Sequence, residues 1–327
     1  MKHEMGSFER NVARIEPGYA RDIEQRLGKI AEQYEARNPE TVSWMRDNLA
    51  RIDHKRLASV YQRIAGRGGE LNRPVNVVPP ERTFVVGRQQ EIGEHSYTTR
   101  TNTFNGDHFK DLLQKHTPRE AFAVLFDAIC HENAHATGFV DIQKAERGDV
   151  CISAGYEDVF ISGEKELTPH RLINEGISEI VGELAARMYL QEAPIKLEDG
   201  TPFTLEEYDR YVNEELMKGT ALSISRDSLS AREFVYHLAE HVAGKTGISP
   251  RDIIEQLIRG YFQGGGFISE LGLSLNESIG PDFVADLAGA KSRDDLVRLA
   301  TKYKFPGLTP DAQGRMMEQL SAPAQGV

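Results

Sequence analysis

Two histidines four residues apart with a glutamate beside the first, His131-Glu132-Asn133-Ala134-His135, are the residues of this chain best suited to chemistry. On a helix, positions i and i+4 share a face, so two imidazoles can point at one metal ion. Glu132 lies beside that face, where a carboxylate can take a proton from a metal-bound water. A catalytic zinc ion usually takes three protein ligands and keeps a fourth position for water. The stretch Asn174-Glu175-Gly176-Ile177-Ser178-Glu179 supplies a third ligand. Glu175 and Glu179 share one face of a second expected helix. Glu175 can reach the metal. Glu179 can accept a hydrogen bond from the free ring N–H of a liganding histidine. The 40 residues from His135 to Glu175 let the second helix return against the first.

These side chains need rigid elements to aim them. Thr117, Pro118 and Glu120 form a helix start with a capping box, and the run Ala121 to Cys130 is apolar nearly all round. Such a helix belongs in the middle of a domain, and it carries the motif in its last turns before Gly138. Thr168-Pro169 repeats the helix start ahead of Glu175, and that helix should run to about Leu190. Upstream, residues from about 18 to 65 read as helices, with Val42, Met45, Leu49 and Ile52 at helical spacing. Gly66, Gly68 and Gly69 then punctuate the chain.

Val75–Val78 and Thr83–Val86 read as strands. The run His95 to Phe104 reads as a third, closed by a turn at Asn105-Gly106. An exposed edge along Tyr97–Phe104 could pair with an extended peptide. A hairpin is expected around Gly155-Tyr156. Further helices are expected after Thr204, after Ser230, at Ser249-Pro250 and after Ser292 up to Tyr303, with a frayed end from Ser321. The resulting fold class is α+β and predominantly helical, with a small sheet packed on the motif helix and a helical C-terminal lobe. The expected division is an N-terminal helical region (1–70), a catalytic region (71–138 and 139–310) and a tail (311–327).

H-E-x-x-H followed by a helix bearing N-E-x-x-S-[DE] resembles the gluzincin (thermolysin-like) zinc metallopeptidases. The matching residues are His131, Glu132, His135, Asn174, Glu175, Ser178 and Glu179, and the resemblance covers roughly residues 118–190. It implies a zincin-like fold, Zn2+ held by His131, His135 and Glu175, and a water activated by Glu132. It also puts Asn174 and Glu179 in supporting places behind the ligands, Glu179 standing where the family usually has aspartate. In that family a histidine or tyrosine from the C-terminal lobe often meets the negative charge that develops on the carbonyl oxygen. Tyr236 and His237 are suitable in type and place, and Arg232 and Tyr156 are further candidates. His237-Leu238-Ala239-Glu240-His241 also reads as the inverted zinc motif H-x-x-E-H, though no later glutamate lies in a matching helical context.

Composition narrows the partners. In 327 residues, 39 Lys and Arg stand against 50 Asp and Glu, a net charge of −11. That balance speaks against a nucleic-acid backbone or an anionic membrane as the main partner. Two cysteines rule out a disulfide framework. No apolar run suggests a signal peptide or a membrane span, so a cytoplasmic protein is expected. The functional expectation is a zinc-dependent metalloendopeptidase acting on a peptide or protein. Two alternatives stand beside it. One is a zincin-like domain in a nucleic-acid-binding plasmid-defence protein, since His135-Ala136-Thr137-Gly138 matches the H-x-T-G ending of such domains. The other is a metal-free structural or interaction protein.

Overall fold

The motif helix begins as its sequence implies. Thr117 Oγ1 accepts the Glu120 backbone N–H, and the Glu120 carboxylate accepts the Thr117 N–H at 2.8 Å. The computed structural model describes residues 19–67, 74–87, 92–97, 99–144, 150–162, 165–167, 170–218, 226–306 and 310–321.

Three helices open it: α1 (Tyr19–Glu35), α2 (Pro39–Leu49) and α3 (His54–Gly66). A small mixed sheet follows, built from β1 (Thr83–Val86), β2 (Gly93–Ser96) and β3 (Thr101–Asn105) in the order β1-β3-β2. β1 runs parallel to β3, and β2 runs antiparallel to it with Gly93 opposite Phe104. Helix α4 (Gly106–Lys115) leads into the motif helix α5 (Pro118–Thr137). A meander of four antiparallel strands comes next: β4 (Val140–Lys144), β5 (Val150–Ala154), β6 (Glu157–Ser162) and β7 (Lys165–Leu167). The second ligand helix, α6 (Arg171–Glu192), then crosses back, followed by a two-stranded pair, β8 (Ile195–Lys196) and β9 (Pro202–Phe203). The rest is helical: α7 (Leu205–Lys218), α8 (Arg226–Thr246), α9 (Pro250–Gln263), α10 (Gly265–Ile279), α11 (Phe283–Ala288), α12 (Arg293–Lys302) and α13 (Pro310–Ser321). The described chain is therefore mostly helical with small sheets. No helix among the described residues is long and apolar enough to cross a membrane.

Helices α5 and α6 are the centre. Both are apolar on nearly every face, and almost all their side chains are buried. A helix with no solvent face must be surrounded by other elements. α6 packs against α5, α8, α3 and α13, and α5 packs against α4, α7 and β2. The aromatic side chains of Phe122, Phe126, Tyr189, Phe203 and Tyr208 interlock between α5, α6, β9 and α7. Cys130 is a buried free thiol in this core. The α5–α6 contact is close at one point: a Cβ on Gly182 would stand 3.0 Å from the His131 Cα. Glycine there brings the two main chains together directly behind the first histidine.

Several local readings are corrected. Val75–Val78 is irregular, because side chains take its donors: the Val78 N–H donates to Asn133 Oδ1 (2.7 Å) and the Val75 N–H to Gln62 Oε1 (3.0 Å). The following Pro79-Pro80 pair has no N–H groups with which to extend a ladder. The run from His95 to Phe104 is two antiparallel strands, with Arg100 between them at φ 53°. Asn105 does not close a turn. Its side chain accepts the His108 N–H and caps α4. Ser230 lies inside α8, which already begins at Arg226. Residues 310–321, which reach into the segment read as a tail, form α13. Its Met316, Met317 and Leu320 are buried, and the Arg67 guanidinium donates to the Leu320 carbonyl. The hairpin around Gly155-Tyr156 and the caps at Ser249 and Ser292 form as expected. Gly68, Gly69 and Thr168-Pro169 lie outside the described residues.

Candidate metal centre

His131 and His135 stand one turn apart near the end of α5, facing Glu175 in the second turn of α6. Their Nε2 atoms are 3.1 Å apart. Glu175 Oε2 lies 3.7 Å from the first and 3.6 Å from the second. Tetrahedral ligands about 2.1 Å from a zinc ion stand about 3.4 Å from one another. Three donors at 3.1 to 3.7 Å therefore surround a space of the size one such ion needs. Among the described residues, these three form the one group of histidine, cysteine or carboxylate side chains close enough to hold a metal ion.

The hydrogen bonds behind the histidines decide which nitrogen faces that space. Ser178 Oγ donates its single proton to the Asn174 carbonyl one turn back (2.8 Å). It must then accept from its other neighbours, Tyr261 Oη at 3.0 Å and His135 Nδ1 at 3.3 Å. Tyr97 Oη is a second oxygen at 3.1 Å from the same Nδ1. His135 thus carries its proton on Nδ1 and turns the Nε2 lone pair to the ligand space. His131 Nδ1 makes no hydrogen bond of good geometry, but the Glu179 carboxylate lies 3.2 Å away as an ion-pair contact, and its charge favours a proton on that nitrogen. Such partners fix the tautomer and raise the basicity of a metal-binding imidazole.

Charge is concentrated here despite burial. Burial alone would raise the Glu175 carboxyl, but His135, then His131 and Arg171, bring it down to about 2. Burial alone would lower the His131 imidazole. The carboxylates of Glu179, Glu132 and Glu175 outweigh it and hold the ring well above its ordinary value. His95, half-buried beside Asn102, is pushed down to about 3 chiefly by desolvation. Three carboxylates around two imidazoles are an excess of negative charge that a divalent cation would balance.

Glu132 is 5% exposed, between α5 and the sheet. A Cβ on Gly93 would come within 2.6 Å of Glu132 Oε1. Glycine at the start of β2 therefore leaves this carboxylate its place. β2 is an edge strand of its sheet among the described residues. The edge position expected along Tyr97–Phe104 thus falls to Gly93–Ser96 among the described residues, while Thr101–Asn105 is the central strand. Asn174 fastens the β5–β6 turn to α6: its Oδ1 accepts the Tyr156 N–H at 3.0 Å and its Nδ2 faces Glu157 Oε2 at 3.5 Å.

The other candidates lie elsewhere. Tyr236 is buried at the α6–α8 interface, where the charges acting on it are Glu183, Arg232 and Arg187. Arg232 donates to Glu183 Oε2 at 2.6 Å, and Arg187 donates to Glu183 Oε1 at 3.0 Å. Glu183 is eight residues beyond Glu175, about 12 Å further along α6. His237 is half-buried, with Glu233 as its charged neighbour. Neither Tyr236 nor His237 hydrogen-bonds to the triad. Tyr156 donates to the Leu257 carbonyl at 2.8 Å. The H-x-x-E-H residues form no metal group among the described residues, and the His241 ring packs on Phe305 at 4.7 Å. The sequence placed Tyr97 only in a strand edge that could pair with a peptide, not beside a histidine, and gave no role to Tyr261. Tyr97 lay within a run singled out for its β-branched and aromatic content. Tyr261 sits on an ordinary amphipathic helix and left no signal. No protein-family model, no curated protein and no solved structure matches this chain.

Proposed function

We propose that this chain is a zinc-dependent peptidase. The observation that carries the reading is the convergence of His131 Nε2, His135 Nε2 and Glu175 Oε2, with the Glu132 carboxylate on the same helix as both histidines. Nitrogen and carboxylate donors in a His-His-Glu set suit zinc, which leaves a coordination position open in such sites. A bound zinc ion would polarise a carbonyl and acidify a water molecule. Glu132 takes the proton from the attacking water and returns it to the leaving nitrogen. Strand β2, at the edge of its sheet among the described residues, runs beside Glu132, where an extended peptide would lie along it.

The test measures metal content and turnover together. Purified protein should hold about one zinc per chain, removable by chelator, and should cleave an unstructured protein such as casein. Glu132→Gln should keep the metal and lose at least about 1,000-fold in turnover, as the loss of a general base does. An active Glu132→Gln variant, or a wild-type chain that binds no zinc, would end this reading.

A further inference from the structure

Tyr261, in the last turn of α9, reaches the metal centre from the C-terminal part of the chain. Its side chain is 1% exposed, and its ring lies between two glycines. A Cβ on Gly138, just past the end of α5, would stand 2.9 Å from the ring atom Cε1. A Cβ on Gly155, in the β5–β6 turn, would stand 2.6 Å from Cε2 on the opposite edge. Main-chain bonds pin the same junction. The Phe139 N–H donates to the Tyr261 carbonyl at 2.9 Å, and the Gly155 N–H donates to the Phe139 carbonyl at 2.7 Å. The ring therefore has one seat, and its hydroxyl one direction.

That direction ends on Ser178 Oγ, 3.0 Å away and the one hydrogen-bond partner of the Tyr261 hydroxyl among the described residues. Burial, with the carboxylates of Glu175, Glu157 and Glu132, keeps the hydroxyl protonated, so it donates. A serine hydroxyl has one proton and two lone pairs. At Ser178 the proton goes to the Asn174 carbonyl, one lone pair takes Tyr261, and the other faces His135 Nδ1 at 3.3 Å. The contact to His135 is at the long end of hydrogen bonding, where a small shift of the oxygen forfeits it.

We infer that Tyr261 is a positioning residue of the metal centre: it holds Ser178 Oγ at the place from which that oxygen orients the His135 ring. Its effect on metal affinity rests on the zinc reading above, and its effect on the ring does not. A double-mutant cycle in the full chain tests both. Tyr261→Phe keeps the ring in its seat and removes only the hydroxyl. With Ser178 present it should weaken zinc binding about threefold to tenfold in competition with a fluorescent chelator, and in the Ser178→Ala background it should cost nothing further. The cobalt-substituted Tyr261→Phe protein should show the same absorption shift as Ser178→Ala. In metal-free protein carrying isotope-labelled histidine, the His135 Nδ1 proton, assigned by its loss in His135→Ala, should exchange with water about tenfold faster in Tyr261→Phe. Equal losses of zinc affinity in both backgrounds would make Tyr261 a packing residue and overturn the inference, as would an unchanged affinity. A chain that binds no zinc would end the peptidase reading alone. The exchange rate would then decide, and a rate unchanged by Tyr261→Phe would overturn the positioning role.

Discussion

His135 Nδ1 faces two hydroxyl oxygens, those of Tyr97 and Ser178, where His131 Nδ1 faces the Glu179 carboxylate. The two imidazoles are therefore held by different means, one by neutral partners and one by charge. Ser178→Ala and Tyr97→Phe should each weaken zinc binding about tenfold while leaving the fold intact. Competition with a fluorescent chelator would measure this, and a shifted absorption band of the cobalt-substituted protein would show that the ligand field has changed. The pH dependence follows from His131. Its folded value is raised, so in the metal-free protein it contributes stability that is fully present below the unfolded value near 6.5. That contribution is lost as pH rises through the folded value. Metal must displace the same proton, so zinc affinity rises over the window in which metal-free stability falls. Parallel melting and zinc-binding curves from pH 6 to 9 should slope in opposite directions. The triad was legible because helical spacing places i and i+4 together whatever the tertiary fold. Tyr97 and Tyr261 were not, because they reach His135 and Ser178 from other elements, and no local period relates them.

At the scale of elements, α5 holds the core and the chemistry in one unbroken helix. Its first turns bury Phe122 and Phe126 among aromatic rings, and its last turns carry His131, Glu132 and His135. Phe126→Ala should cost about 3–5 kcal/mol, read from urea unfolding monitored by circular dichroism. Metal binding by the population that stays folded should be little changed, since Phe126 precedes the first ligand by more than a turn. Helix starts with caps were readable at Thr117, Ser249 and Ser292, because a side chain bonding its own backbone three residues on is a local event. Val75–Val78 misled because Asn133 and Gln62 take its backbone donors. Those partners lie on α5 and α3, and nothing near residue 75 announces them.

For the whole molecule, the ligands tie together parts of the chain that are far apart in sequence. α6 touches the N-terminal helix α3, the C-terminal helix α13 and the motif helix α5. Buried ion pairs of Glu183 with Arg187 and Arg232, and a partly exposed pair of Arg187 with Asp209, bind α6 to α8 and α7. A metal bridging α5 and α6 binds only the folded state, so it raises stability by mass action, about 2.7 kcal/mol at a free concentration one hundred times Kd. Chelator should lower the melting temperature of the wild type and leave that of His135→Ala unmoved. An equal effect of chelator on both proteins would show that the stabilising ion sits elsewhere. The mostly helical α+β character was legible from periodicity. The docking of residues 310–321 was not, since three buried side chains in a short helix look much like a solvated end until α6 is there to receive them.

Gly182 gives the site a gauge made of main chain. Residue 182 puts no side chain between the main chains of α5 and α6, so their separation at that point is set by backbone and not by the average of packed rotamers. The reach from His131 to Glu179, and from both histidines to Glu175, is ruled off that length. The meander between the two helices can therefore vary in sequence and size without detuning the three donors, so long as residue 182 stays bare.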